Sequence, residues 1–501
     1  MKRPAAAQVF FLFGKVMKLI INKHDIKISI RRPDYKSQTA KYQEIFSFNS
    51  NKDDIKSPKK IKSLTFTETL YSPEGRFSLE LFHTVFGGEL ENSAGVNKNK
   101  NILLFEVIKP RDFVFIYINN KLKFIGVIEN SLYASSISGN TIGISYTLSG
   151  YGIGGLISRF AFILDIGLYP DLLKKGQYAD AEAAQDELLT ALNISLSQGD
   201  SLENGVKMIM NAFFKLAQRV TSLKYGLPYI IESLYKVEVS SELKAKFPLT
   251  TNFISYNENN LWQILSGIFP VPTYEIFGHI DESDEKFKFI MRETPFNPSD
   301  WAALKLHKID PVLLTSFTLE RSDQEVYTYY LASISGNGYT RNEQVFVSGS
   351  VIDEEKWPIY GHIPLMSENK FVAADRMPST KENPKQINER ITKELYEQYR
   401  HNDEMVKGRF TLKYIEDEKK GFTIPRIGEK IAIFDCEFYV TEVTVILSHS
   451  ESTSVTLGVN RGAIYSKNGQ YKSAPQNLST KIYDFISAAN NFSSGGINGY
   501  V

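Results

Sequence analysis

Two short apolar runs, Tyr274–Ile280 and Lys286–Met291, flank the acidic stretch Asp281–Glu285, and this pattern constrains the chain more than any other. Strand-like runs joined by a polar turn of that length make a β-hairpin. Pro295 then takes the chain out of the sheet, because it has no N–H to give a ladder. Leu313–Leu319 reads as a further strand, ended by Glu320-Arg321-Ser322-Asp323, and Val326–Tyr330 restarts the pattern. No residue set between 274 and 334 has the spacing of a reaction centre. The segment is built for pairing strands.

The same pattern recurs on both sides. Ser63–Tyr71 and Arg76–Phe82 flank the turn Ser72-Pro73-Glu74-Gly75. Asp112–Ile118, the turn Asn119-Asn120-Lys121 and Leu122–Ile128 spell a second hairpin, which runs on into Thr141–Leu148. Arg409–Ile415 and Ile424–Asn460 repeat that style. Helical spacing is found at 179–193 and 200–223, in a short capped segment at Asn257–Leu265, and in Gln386–Tyr399. These elements predict an α+β, mainly β chain: two tube-like β-barrel domains with a helical insertion and a smaller mixed domain. The expected divisions are a 1–16 extension, a first barrel at 17–155 and a helical insertion at 156–235. They continue with hairpin and barrel strands at 236–345, an irregular segment and helix at 346–408, closing strands of the second barrel at 409–465, and a tail at 466–501.

A repeat runs through the two β regions. Arg111-Asp112-Phe113-Val114-Phe115-Ile116 matches Gly428-Glu429-Lys430-Ile431-Ala432-Ile433, each shortly after a proline (Pro110, Pro425) and each with an acid before the strand. Phe124–Ile128 matches Tyr439–Val443, and Thr141–Leu148 matches Ser454–Val459. Duplication of one β module explains two matched hairpins in the same order. Three copies of such a chain would set six similar modules around an axis.

At 501 residues the chain exceeds what one core supports. Lys+Arg of 58 against Asp+Glu of 57 leaves a charge of +1, which argues against a nucleic-acid binder held by bulk electrostatics. Aromatics at 13% suit sheets and large interfaces. A lone cysteine, Cys436, excludes an intrachain disulfide and fits folding in a reducing cytoplasm. No apolar run is long enough to span a bilayer.

Chemistry has little support. The seven histidines are scattered without zinc-ligand spacing. Gly150-Tyr151-Gly152-Ile153-Gly154-Gly155 fits G-x-G-x-x-G, with Asp171 where a ribose-binding acid would stand. The strand before it alternates, however, and no clean helix follows, so a glycine-rich exit from a sheet fits better. The carboxylates Asp281, Glu282, Asp284 and Glu285 lie in a polar turn, a poor setting for acid catalysis. No catalytic residue, cofactor or metal is expected. A cell-wall hydrolase assembled from distant carboxylates is the alternative, ahead of a dinucleotide-binding enzyme.

Three groups of residues carry a resemblance to a known family. They are Tyr274–Phe277 with Met291–Phe296 and Trp301; Leu319–Asp323 leading into Val326-Tyr327-Thr328; and Pro425–Glu429, Phe438–Val443 and Asn460-Arg461-Gly462. In order and spacing these resemble the tail (baseplate) hub proteins of bacteriophages and contractile injection systems, late control protein D-like hubs among them. The likeness covers roughly residues 100–465. It implies a structural protein of the virion or injection particle, assembled in the host cytoplasm. It implies a homotrimer that caps the tail tube, holds a central spike protein and meets other baseplate proteins, without specific nucleic-acid binding. On the same resemblance Val114, Ile116, Ile431 and Ile433 pack barrel interiors, and Arg292, Arg321 and Asp323 fix the junction between barrel and flanking strands. Pro295, Tyr327, Pro425, Gly428, Tyr439, Val440, Arg461 and Gly462 complete the expected structural motifs.

Overall fold

The computed structural model describes residues 25–36, 41–49, 61–81, 85–86, 102–138, 141–159, 227–241, 243, 260–269, 271–334, 346–347, 349–369, 384–414, 423–448 and 453–475, with scattered positions in 203–211 and 478–487. The helical expectation for 179–193, and most of that for 200–223, lies outside them.

The chain is mainly β. The amino-terminal part supplies β1 (Ile26–Pro33), β2 (Tyr42–Asn49), β3 (Ile61–Thr69), β4 (Ser72–Leu81), β5 (Phe113–Ile118), β6 (Lys121–Ser138) and β7 (Thr141–Gly152), then the short helix α1 (Gly155–Arg159). After α2 (Leu227–Leu234) come β8 (Tyr235–Val239), α3 (Leu261–Ile268), β9 (Tyr274–Asp281), β10 (Lys286–Glu293) and α4 (Pro298–Ala303). The remainder gives β11 (Leu314–Glu320), α5 (Pro384–Tyr399), β12 (Val406–Lys413), β13 (Lys430–Ile433), β14 (Cys436–Ser448) and β15 (Ser454–Tyr465). The stretch expected to be irregular holds a strand, Pro364–Asn369, parallel to Tyr329–Ile334. Pro364 is its first residue, where the missing N–H costs no ladder bond.

One 14-stranded sheet contains both β regions, in the order β11-β12-β15-β14-β3-β4-β7-β6-β5-β1-β2. It divides into two modules of matching order, β3-β4-β7-β6-β5 and β11-β12-β15-β14-β13. Two irregularities match as well. Register slips between Ile61 and Ser63 where β3 meets β4, and between Leu314 and Ser316 where β11 meets β12. It slips again between Ile128 and Asn130 against β7, and between Val440 and Glu442 against β15. Both hairpins turn through two left-handed residues, Asn119-Asn120 and Phe434-Asp435, as two-residue turns that follow strand twist require.

The hairpin bases match bond for bond. The Arg111 N–H donates to Ile128 O, and Ile128 N–H to Asp112 O; Gly428 N–H donates to Val440 O, and Val440 N–H to Glu429 O. Arg111 and Gly428 share a left-handed backbone, with φ of 76° and 79°. The Lys109 N–H donates to the Asp112 carboxylate and the Arg426 N–H to the Glu429 carboxylate, both at 2.8 Å. This geometry moves the sequence alignment. Ile128 corresponds to Val440, not Val443, because the first hairpin is longer.

Leu64, Phe66, Leu148, Leu457, Val445 and Phe410 belong to a single core shared by both modules, and Val114, Ile116, Ile431 and Ile433 are buried in it. A second core lies on the other face of β5 and β6, where Phe113, Phe115, Ile125 and Val127 pack against α1, α3 and the β9–β10 hairpin. The glycines of the G-x-G-x-x-G stretch are packing sites between these layers. Gly150 and Gly152 sit inside β7, paired with Ile128 and Gly126. A Cβ on Gly150 would meet Val127 O at 1.9 Å, and one on Gly154 would meet the Phe287 ring at 2.6 Å.

Candidate functional site

The β9–β10 hairpin sits where the two modules meet, and polar side chains fasten it at both ends. At the base, Tyr-Glu-Ile-Phe alternation places Glu275 in an otherwise apolar strand, opposite Arg292 in register. The Arg292 Nε donates to Glu275 Oε1 at 2.5 Å, while its Nη2 donates to Gly428 O and to the Tyr439 hydroxyl, each at 2.8 Å. The Tyr439 OH in turn donates to Glu275 at 2.7 Å. Burial opposes charge on Arg292, but Tyr439 and Glu275 outweigh it and raise its pKa further. The same burial, reinforced by Glu275, lifts the Tyr439 phenol well above its ordinary value. Arg292 stays charged and Tyr439 stays protonated, so the cluster fastens the hairpin to the second module.

At the hairpin tip, Glu282 accepts from Lys123 of the first module at 2.7 Å and from Arg426 of the second at 2.5 Å. Arg426 also donates to Ile280 O. Burial works against the Glu282 carboxylate, yet Lys123 and Arg426 hold its pKa below the usual range. Burial, with Arg426 and Lys288 nearby, pushes His279 down to about 3. It is neutral at physiological pH.

A third fastening follows the hairpin. Thr294 and the buried Pro295 lead into Asn297, whose side chain caps α4 by accepting from the Asp300 N–H. Trp301 of α4 stacks on Tyr465 with ring centroids 4.3 Å apart and donates its indole N–H to Glu437. Phe296 meets Tyr439 edge-on, and the Arg461 guanidinium lies 3.9 Å over the Phe296 ring. Arg461 Nη2 also donates to Gln398 O at the end of α5. Gly462 is close to Phe438, where a Cβ would stand 2.1 Å from the ring.

The expected motif residues therefore divide. Arg292, Gly428 and Tyr439 meet in one cluster, Val440 bonds Gly428 beside it, and Pro295, Arg461 and Gly462 flank it. Pro425 lies next to Arg426 in the wall facing His279 and Glu282. Tyr327 meets Tyr399 edge-on, on the α5 side. Arg321 and Asp323 are exposed on the turn after β11. The sequence assigns no junction role to Glu275, Glu282, Arg426 or Glu437, although an acid inside the apolar run YEIFGHI is a readable signal.

A cleft of about 600 Å³ opens beside α4, lined by Glu293, Asn297, Ser299, Glu394, Gln398 and Lys467 among others. Among the described residues no cluster of three or more His, Cys, Asp or Glu side chains is placed to hold a metal.

No protein-family model and no curated protein matches the sequence. Solved structures similar to the chain include two tail proteins and a PdpA-VgrG complex. The 43 kDa tail protein of prophage MuSo2 from Shewanella oneidensis is similar over 90% of this chain and 99% of its own, with 10% identity and a TM-score of 0.47. A tail protein from Neisseria meningitidis MC58 gives 90% and 100% coverage, 10% identity and the same TM-score. The Francisella PdpA-VgrG complex is similar over 94% of this chain and 64% of the other, with 12% identity and a TM-score of 0.42.

Proposed function

We propose that this protein is a structural tail hub: three copies form a ring that joins a tail tube to a central spike in a phage or phage-like injection particle. One observation carries the reading. Two modules of equal strand order that share two register slips lie side by side in one sheet, joined where β14 pairs with β3. A chain that already sets two equivalent modules edge to edge supplies a third of a six-module ring, so a three-fold assembly can meet a six-fold tube.

The sheet face away from the shared core supports the same reading. Thr411, Thr456, Thr444 and Thr67 form a row in register across β12, β15, β14 and β3, with Thr67 and Thr444 hydroxyls 2.9 Å apart. An antiparallel sheet that buries one face and hydrates the other suits the wall of a passage. On this reading the tube protein meets one rim, and the spike and other baseplate proteins meet the opposite one. The particle is assembled in the host cytoplasm, and no catalysis is involved. The test is the mass of the purified protein alone and with tube subunits; a trimer is expected, and a monomer under every assembly condition refutes the proposal. Turnover of cell-wall material would favour the hydrolase reading instead.

A further inference from the structure

We propose that the open edge of β6 in one copy pairs antiparallel with the open edge of β11 in the next, repeating between copies the seam that joins β14 to β3 within the chain. The inference rests on the ring reading and gives it residues. Inside the chain, β14 runs antiparallel to β3 from Glu442↔Thr69 to Ser448↔Ser63. By strand order and the two shared register slips, β6 is the counterpart of β14 and β11 the counterpart of β3. Among the described residues, β6 beyond Val127, where β5 ends, is paired only with β7, and β11 is paired only with β12. Each module thus presents one half of a seam that the other module completes in cis.

Burial marks the same two edges. Leu64 and Phe66 of β3 are 0% and 3% exposed beneath the seam, whereas their counterparts Phe317 and Leu319 are only partly buried at the rim of the shared core. Val445 of β14 is buried, while its counterpart Tyr133 is partly exposed. Leu132 stands 60% exposed on β6. Neither Glu129–Ser138 nor Leu314–Glu320 carries a lysine or proline, the usual guards of an edge meant to stay single. A second copy of this chain is the occupant, because its other edge already has the complementary pattern.

The register follows from the internal seam. Thr444↔Thr67, Val445↔Phe66 and Ile446↔Thr65 translate into Leu132 opposite Glu320, Tyr133 opposite Leu319 and Ala134 opposite Thr318 of the next copy. Ala134 and Thr318 are exposed, and the native Cys436 is buried, so introduced thiols report on the seam alone. Directly opposed residues in antiparallel strands lie about 4.5–5.5 Å apart at Cα; a two-residue offset gives about 7–8 Å, beyond disulfide reach.

Under mild oxidation the full-length Ala134→Cys/Thr318→Cys protein is expected to cross-link into species of two and three chains, with none larger. The offset control Ala134→Cys/Ser316→Cys is expected to stay largely uncross-linked. A trimer by mass that gives no cross-link, or equal cross-linking in the control, overturns the seam and leaves the hub reading standing. Absence of any oligomer overturns both. A cross-linked ladder running past three chains supports the seam and contradicts three-fold closure.

Discussion

Arg292 and Glu275 face each other across the β9–β10 hairpin at 2.5 Å, and Tyr439 of the second module bonds to both. A pair so shielded is costly to break on one side, because the survivor is left charged and unpaired. Arg292→Ala is expected to lower unfolding stability by about 3–5 kcal/mol, and Glu275→Leu with Arg292→Met together by much less. Urea unfolding midpoints check both. Equal losses in the single and double variants would show that the ions do not act as a pair.

Gly428 has φ of 79°, and a Cβ there would meet the Phe277 ring at 2.6 Å and Arg292 Nη2 at 2.9 Å. Gly428→Ala combines backbone strain with overpacking, and about 2–3 kcal/mol of destabilisation is expected. The counterpart Arg111 already holds a left-handed backbone, so Arg111→Gly is expected to be nearly neutral in backbone terms. Thermal melts of the two variants measure the contrast.

Glu429 supplies a pH dependence. Burial works against its charge, but hydrogen bonds from His307 at 2.7 Å and from the Arg426 N–H hold the carboxyl at about 2, against an ordinary 4.5. A depressed carboxylate adds stability that is full above pH 4.5 and lost as pH falls toward 2. Glu429→Gln is expected to cost about 2 kcal/mol at pH 7 and to flatten stability between pH 4.5 and 2. Denaturant titrations across that range test it; an unchanged acid limb contradicts it.

Glu282 ties Lys123 to Arg426, and so the first module to the second. Neutralising it as Glu282→Gln leaves those cations facing one another, and a loss of about 1–2 kcal/mol is expected for this partly buried site. Hydrogen exchange should accelerate in 113–128 and 274–293 while β12 keeps its protection. Uniform acceleration would indicate global destabilisation instead.

Much of this was legible in the sequence where local rules decide. The hairpin at 274–293, its exit before Pro295 and the Asn260-capped helix follow from alternation, turn chemistry and capping, which act within a few residues. The repeat was visible in its hairpins because Pro, acid and alternating Val/Ile recur together. Its other half was not. Ile61–Thr67 and Leu314–Glu320 share Ser63/Ser316, Thr65/Thr318 and apolar residues at the inward positions, but so short an alternation is common to many strands, and only the pairing partners single these two out as counterparts. The Glu275–Arg292–Tyr439 cluster joins residues up to 164 positions apart, and no spacing rule reaches that far. Arg321 and Asp323, a conspicuous charged pair in the sequence, lie exposed on a turn.

Averaged electron-microscope views of the purified protein down its symmetry axis test the central claim most directly. The account predicts a three-fold ring with six similar lobes around an open passage. Single-copy particles, or a three-fold particle closed at its centre, would contradict it.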